Sequence, residues 1–156
     1  MLKKIVAAAA LAMLASSSFA GTPGTVYGGL DVGSTKIDNV SDSKGSFGGF
    51  VGYNFHQNFS VEAGYRRLGT WGDVDVDQTA VSVLGALPLG QGFNVYGRLG
   101  YNHIQADSGF AQGSDSGVLY GVGVGYNFSP RVAGRIEVQK PSSDSSNVGA
   151  SVVYQF

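Results

Sequence analysis

The chain closes with Asn147-Val-Gly-Ala-Ser-Val-Val-Tyr-Gln-Phe156, a stretch that alternates between two kinds of side chain to its last position. Side chains of a β-strand point to opposite faces with a period of two residues. Chain ends usually fray into water, so an apolar strand face that finishes on two aromatic rings is typical of a strand whose outer side contacts lipid. That face consists of Val148, Ala150, Val152, Tyr154 and Phe156.

Residues 1–20 have the organisation of a signal peptide. Lys3 and Lys4 give a positive start, an apolar run of about ten residues follows, and Ser18-Phe19-Ala20 forms a small-x-small cleavage site. A membrane-spanning helix needs roughly 20 apolar residues, so this run is too short to serve as an anchor. We therefore expect a cleaved signal peptide over residues 1–20 and one mature domain over residues 21–156.

The composition excludes several classes of function. The chain contains no cysteine, which rules out disulfides and thiol chemistry and suits passage through an oxidising periplasm. Once Lys3 and Lys4 are removed, 8 basic and 11 acidic residues remain, a formal charge of −3. Nucleic-acid binding favours a basic surface, so we expect no nucleic-acid partner. We also expect no cofactor.

Alternating segments like the last one recur along the whole mature chain. Each is about 8–12 residues long, close to the roughly 9–11 residues of a tilted membrane strand. Their even number predicts that both chain ends lie on the same side of a closed sheet. The eight predicted strands are Thr25–Thr35, Ser46–Asn54, Phe59–Leu68, Gln78–Leu87, Phe93–Ile104, Gly117–Asn127, Val132–Gln139 and Asn147–Phe156.

The predicted connections alternate in length. Asn54–Asn58, Pro88–Gly92 and Asn127–Arg131 are rich in Asn, Gly and Pro, as tight turns are. Short turns at one end and longer loops at the other are typical of outer-membrane barrels. The longer, polar loops are predicted over residues 36–45, 69–77, 105–116 and 140–146.

The two faces of these strands distinguish a membrane barrel from a soluble one, which would turn its apolar face inward. Aromatic residues cluster beside the short turns and the C-terminus, where a membrane barrel places an aromatic girdle. The charged face is interleaved with nine glycines, which suit the crowded lumen of an eight-stranded barrel. They are Gly29, Gly33, Gly48, Gly52, Gly64, Gly100, Gly121, Gly123 and Gly125. We predict an all-β, eight-stranded antiparallel up-and-down transmembrane β-barrel. The girdle aromatics are Phe55, Phe59, Phe93, Phe128, Tyr154 and Phe156.

The signal segment, the eight strands, Asn54-Phe-His-Gln-Asn-Phe-Ser-Val-Glu-Ala-Gly-Tyr-Arg66 and the Tyr154-Gln-Phe156 ending resemble the small eight-stranded bacterial outer-membrane β-barrel family. That family includes the transmembrane domain of outer-membrane protein A and the outer-membrane protein X group. The resemblance implies an outer-membrane location with termini in the periplasm and long loops outside. It also implies a monomer in outer-membrane lipid and lipopolysaccharide, delivered by periplasmic chaperones and the barrel-assembly machinery. Tyr154 and Phe156 would form the assembly signal.

Six charges fall on the predicted lumen face, and an unpaired charge in a narrow lumen would be costly. Strands four apart face each other, which predicts Asp31 opposite Arg98, and the third-strand charges opposite those of the seventh. Two interpretations remain: a permanently shut polar core, which we favour, or a salt-bridge gate that re-pairs to let ions through, as the resemblance implies. The network consists of Asp31, Glu62, Arg66, Arg98, Arg135 and Glu137.

Basic residues near the long-loop rim are candidate contacts for lipopolysaccharide phosphates, although interfacial snorkelling explains them equally well. They are Lys36, Lys44, Arg67 and Lys140. The segment Asp73-Val-Asp75-Val-Asp77 suggests calcium, but Gln78 stands in place of the required Gly and Leu84 in place of the bidentate Glu. We therefore expect no metal site.

Catalysis is not expected either. Lipid A deacylases of the small-barrel type use a His-x-Ser motif, whereas this chain has His103-Ile104-Gln105, and His56 lies in a predicted turn without a partner. Two classes of function remain: a structural or surface-interaction barrel, and a small passive ion pore. The first draws on loop residues that could contact host or environmental molecules, namely Trp71, Phe110, Asp38, Asp42, Asp107, Asp115 and Asp144.

Overall fold

The computed structural model describes residues 21–37, 43–71, 74–108, 111–142 and 145–156, and shows a closed antiparallel barrel in which each strand pairs with its neighbours in sequence. The prediction of an eight-stranded up-and-down barrel is confirmed. No helix within the described ranges is long and apolar enough to cross a membrane. The strands are β1 (Thr25–Ile37), β2 (Ser43–Asn54), β3 (Phe59–Trp71), β4 (Val74–Gly90), β5 (Phe93–Ser108), β6 (Ala111–Asn127), β7 (Val132–Ser142) and β8 (Ser145–Gln155).

The strands are inclined to the barrel axis, as the pairing register shows. One row of paired residues that starts at Thr25 returns to β1 at Thr35, ten residues further along the strand. A stagger of this kind accompanies a strand tilt of roughly 35–45° in closed barrels. The full row is Thr25, Asn54, Ser60, Leu84, Arg98, Gly121, Gln139, Asn147 and Thr35.

The predicted faces are confirmed. Apolar side chains of the outward face are exposed, with Leu30 at 74%, whereas Leu119 on the inward face is only 1% exposed. All six predicted girdle aromatics are exposed and lie at the end of the barrel where β1 begins and β8 ends, called here the terminal end. A second set of exposed aromatics, which is not part of the predicted girdle, lies on the outward face further from that end: Phe47, Tyr65, Tyr101 and Tyr120.

Glycines occupy inward positions at which neighbouring atoms leave no room for a side chain. At eight of the nine predicted lumen glycines, an added Cβ would lie within 3.0 Å of another atom. Real Cβ atoms essentially never approach so closely, so a larger residue at any of these positions would displace its neighbours. The eight are Gly29, Gly33, Gly48, Gly52, Gly100, Gly121, Gly123 and Gly125.

The three tight turns lie at the terminal end, as predicted. Between β4 and β5, Gln91 and Gly92 both have positive φ, 54° and 84°, which matches the type I′ turn of two-residue hairpins. The third turn is closed by the Phe128 amide, which donates to the carbonyl of Val132 at 2.9 Å.

The prediction of long polar loops at the opposite end, called here the hairpin end, is wrong in extent. The strands continue into all four segments, and only residues 38–42, 72–73, 109–110 and 143–144, outside the described part of the chain, separate them. Beyond the apolar band both faces of a hairpin can be polar, so these extensions lack the alternation from which strands are predicted. Paired Asp75 and Asp107 on β4 and β5 are an example.

Candidate functional site in the barrel lumen

All six predicted lumen charges lie on odd-numbered strands, and the structure joins each of them to a partner of opposite sign. They form two groups. The four-residue cluster consists of Glu62, Arg98, Arg135 and Glu137, and the Asp31–Arg66 pair lies nearer the hairpin end.

Glu62 is the centre of the four-residue cluster. Its Oε1 lies 2.5 Å from Nη1 of Arg135, and its Oε2 lies 2.6 Å from Nη2 of Arg98. Arg98 also donates from Nε to Oε1 of Glu137 at 2.7 Å. Because the side chain of Glu62 is only 1% exposed, its charge is compensated almost wholly by these two guanidinium groups.

The Asp31–Arg66 pair has one ionic contact and several amide contacts. Arg66 Nε lies 2.5 Å from Oδ2 of Asp31. Its Nη1 donates to Gln139 Oε1 at 2.9 Å and to Asn147 Oδ1 at 3.3 Å. The Asn147 amide in turn donates to the hydroxyl oxygen of Thr35 at 2.8 Å. Arg66 is therefore held by polar groups from three other strands.

The predicted pairing of Asp31 with Arg98 is wrong. Asp31 and Arg66 lie on one hydrogen-bonded row, separated only by Gly48 on β2, and the missing side chain of Gly48 lets them meet. Arg98 is instead occupied by Glu62 and Glu137, so Glu137 contacts a fifth-strand rather than a third-strand arginine.

Two tyrosines that are not among the predicted lumen residues complete the network, and each also reaches its partner across a glycine. Tyr27 reaches across Gly52, and its hydroxyl donates to Oε1 of Glu62 at 2.8 Å. Tyr96 reaches across Gly123, and its hydroxyl donates to Oε2 of Glu137 at 2.7 Å. Strand alternation predicts that both tyrosines point inward. Which glycine lies opposite each ring depends on the register of the paired strands, which the sequence does not reveal.

Among the residues that the structure describes, two cavities lie in the lumen, and they share no lining residue. One, of about 40 Å³, is bordered by Asp31, Arg66 and Gln78. Three members of the four-residue cluster, Glu62, Arg98 and Glu137, border it as well. The other, of about 100 Å³, lies towards the terminal end and is bordered by Tyr27, Tyr96 and Arg135 among others. The four-residue cluster and the tyrosines therefore lie between the two cavities.

The candidate lipopolysaccharide residues have different surroundings. Lys36 is exposed, and Lys140 is half-buried and directly opposite Tyr120. Arg67 is engaged by a carboxylate, with its Nε 3.0 Å from Oδ1 of Asp77. The side chain of Lys44 is outside the part of the chain that the structure describes.

The C-terminal aromatics lie on the outward face at the β1–β8 seam. The Phe156 amide donates to the carbonyl of Val26 at 3.0 Å, and its ring lies 3.7 Å from the position of a Cβ on Gly28. The rings of Tyr154 and Phe156 meet edge to face, with centroids 5.3 Å apart. Phe156 thus contributes both a hydrogen bond and a ring contact to barrel closure.

A histidine–serine contact appears where the sequence motif is incomplete. Nδ1 of His103 lies 2.6 Å from Oγ of Ser116, its cross-strand neighbour on β6. Such a pair cannot be read from sequence spacing because it depends on the register of two strands. In the described residues, no carboxylate bonds to His103. His56 lies in the first turn, with its ring 5.7 Å from that of Phe59.

The described residues contain no group of three or more His, Cys, Asp or Glu that could hold a metal ion. Asp75, Asp77 and Asp107 line a cavity between the extended hairpins. Asp115 is exposed, and its carboxylate accepts from the amide of Ser116 at 2.9 Å. The other loop candidates fall outside the described residues or have undescribed side chains: Asp38, Asp42, Trp71, Asp73, Phe110 and Asp144.

Comparison with known proteins agrees with this architecture. The model of the outer membrane protein beta-barrel domain family matches residues 6–156, and the chain belongs to that family. It is therefore an outer-membrane β-barrel protein, and its outward apolar face contacts lipid. No curated protein matches the chain in sequence.

Three solved structures illustrate the shared fold. The N-terminal β-barrel domain of Pseudomonas aeruginosa OprF is 15% identical with a TM-score of 0.64, and the match covers 83% of this chain and 97% of that one. Neisserial surface protein A is 18% identical with a TM-score of 0.62 and coverages of 84% and 97%. Ail of Yersinia pestis, in complex with the heparin analogue sucrose octasulfate, is 20% identical with a TM-score of 0.53 and coverages of 86% and 100%.

Proposed function

We propose that this protein is a structural barrel of the outer membrane whose lumen is closed by paired charges and does not conduct ions. The observation that carries the proposal is the separation of the two lumen cavities. Glu62, Arg98 and Glu137 join three strands across the section between them. A small passive pore is the alternative, and it would require this cluster to open.

Planar-bilayer recordings of the purified mature protein test the proposal. Heat-modifiable migration first establishes that the sample is folded, so that a silent recording cannot be ascribed to unfolded protein. We expect the current of the bare bilayer. Discrete conductance steps that scale with the amount of folded protein would favour the passive pore instead.

The same proposal includes an orientation, with termini in the periplasm and hairpins outside, and a role for Tyr154 and Phe156 as the assembly signal. The seam contacts of Phe156 support it, since its amide and its ring join the end of β8 to β1. Deletion of Phe156 should reduce the surface yield of folded barrel. Phe93→Ala, which removes another exposed girdle ring, is the matched control.

Partners of the outer surface are the lipid bilayer and, we propose, lipopolysaccharide and extracellular ligands. Lys36 supports phosphate contact best because it is exposed, whereas Arg67 already pairs with Asp77. The polyanionic ligand in the Ail structure is a precedent on the same fold. Lipopolysaccharide retained by Lys36→Gln/Lys140→Gln, compared with the unmodified protein, tests the contact.

We also propose that the protein is a monomer and not an enzyme. The His103–Ser116 pair lacks the orienting acid of a catalytic triad among the described residues. An unchanged lipid A mass spectrum in cells carrying His103→Ala is expected, and a loss of a modified lipid A species would contradict it.

A further inference from the structure

We propose that the element which blocks ions is Arg135 in an enclosure of three aromatic rings, and that the ion pairs serve to hold Arg135 in that place. This inference rests on the proposed closed lumen and locates its barrier. The enclosure is called the aromatic cage and consists of Tyr27, Phe50 and Tyr96.

The guanidinium of Arg135 lies over all three rings. Its central carbon is 5.2 Å from the ring centroid of Tyr27, 5.4 Å from that of Tyr96 and 5.7 Å from that of Phe50. These distances are within the range of about 6 Å over which a cation is attracted to a ring face. Tyr27 and Tyr96 are only 3% and 4% exposed, whereas Phe50 and Arg135 are half-buried.

Each ring of the cage lies against a glycine that is its direct partner on the neighbouring strand. The pairs are Tyr27 with Gly52, Phe50 with Gly29, and Tyr96 with Gly123. An added Cβ on any of the three glycines would lie within 3.0 Å of the ring. The rings can therefore lie close to the barrel wall, which leaves the central space to the guanidinium.

The cage is joined to the ion pairs through hydrogen bonds. Arg135 pairs with Glu62, and the Tyr27 hydroxyl bonds to the same carboxylate oxygen. The Tyr96 hydroxyl bonds to Glu137, which is held by Arg98. These bonds fix the orientation of two of the three rings, so the four-residue cluster supports the cage from the hairpin side.

The cage lies at the boundary between the two cavities. Tyr27, Tyr96 and Arg135 line the cavity towards the terminal end, whereas Phe50 lines the cavity on the other side. The polar walls beside Asp31 and Arg66 have room for water, since a water needs only about 10–15 Å³ of such volume. At the cage, apolar rings and a fixed positive charge replace polar walls. An apolar constriction resists filling by water, and the positive charge of Arg135 repels cations.

Single-channel recording on a set of variants tests this assignment. Tyr27→Ala/Tyr96→Ala removes two walls of the cage and should produce channel openings that the unmodified protein does not show. The matched control is Tyr53→Ala/Tyr65→Ala, because these two exposed tyrosines face outward and their loss should leave the recording silent. Asp31→Asn/Arg66→Gln, which removes only the other ion pair, should also remain silent.

A second variant covers the case in which the double alanine protein does not fold. Arg135→Ala empties the cage, and its current should fall when guanidinium chloride replaces an equal, non-denaturing concentration of sodium chloride, because guanidinium refills the site. Folded cage variants that stay silent, or openings in Asp31→Asn/Arg66→Gln, would overturn the inference while the closed lumen stands. Conductance by the unmodified protein would overturn both.

Discussion

Glu62 and Asp31 are both buried lumen carboxylates, but their surroundings differ. Glu62 compensates two arginines and accepts a hydrogen bond from Tyr27, whereas Asp31 faces one arginine. That arginine, Arg66, has further acceptors in Gln139 and Asn147. A change at Glu62 therefore disturbs three partners at once, while Arg66 keeps part of its environment if Asp31 is neutralised.

Ion pairs in one lumen therefore need not contribute equally to the free energy of unfolding. Removal of one partner from a buried ionic group costs more than the pair itself stabilises, because the charge left behind is uncompensated. Neutral acceptors reduce that penalty, since a guanidinium hydrogen-bonded to amide oxygens is still partly solvated by protein dipoles. Stability measurements at the two carboxylates can separate these cases.

The largest effect is expected for Glu62→Gln. This change leaves Arg98 with Glu137 alone and Arg135 without a carboxylate, which should lower the free energy of unfolding by about 3–5 kcal/mol. Equilibrium unfolding in urea from lipid vesicles, followed by the fluorescence of Trp71, the only tryptophan, measures it.

Ser60→Ala is the control for Glu62→Gln. It removes a hydroxyl that also contacts Tyr27 but carries no charge, so the loss should be the smaller of the two. If the two substitutions lower the free energy of unfolding equally, compensation of the arginine charges is not the main way in which Glu62 stabilises the barrel.

A smaller loss is expected for Asp31→Asn, about 1.5–3 kcal/mol, which is the range for hydrogen bonds to charged groups. The amide can still accept from Arg66, and Gln139 and Asn147 remain in place. The same urea titration measures it, and Asp107→Asn at the exposed hairpin is the control. A loss as large as that of Glu62→Gln would remove the distinction between the two carboxylates.

The sequence predicts the strands of the barrel more fully than the side-chain contacts in its lumen. The sequence predicts all eight strands. It also predicts that Asp31, Glu62 and Arg98 point inward, because lipid on the outer side imposes a strict period of two on each strand. At the hairpin end no lipid constrains the outer face, so the extensions of β4 to β6 lack the alternation that predicts a strand.

Contacts across the lumen could not be predicted, for a different reason. They depend on the ten-residue stagger of the closed barrel, which turn lengths and bulges determine together, and no local pattern reveals it. The three side-chain contacts that reach across Gly48, Gly52 and Gly123 follow from that register. So does the approach of Ser116 to His103. Inward aromatics among glycines are the one sequence signal that could have indicated Tyr27 and Tyr96.

The smallest expected quantity is the coupling between the two carboxylates. In the double variant Glu62→Gln/Asp31→Asn, the losses should add to within about 0.5 kcal/mol, as they do for sites without shared partners. Glu62→Gln/Tyr27→Phe is the matched comparison, because these side chains share a hydrogen bond of 2.8 Å and should couple more strongly. If instead the carboxylates couple as strongly as Glu62 and Tyr27, the lumen holds a single network, and the Asp31–Arg66 pair belongs to the support of the cage.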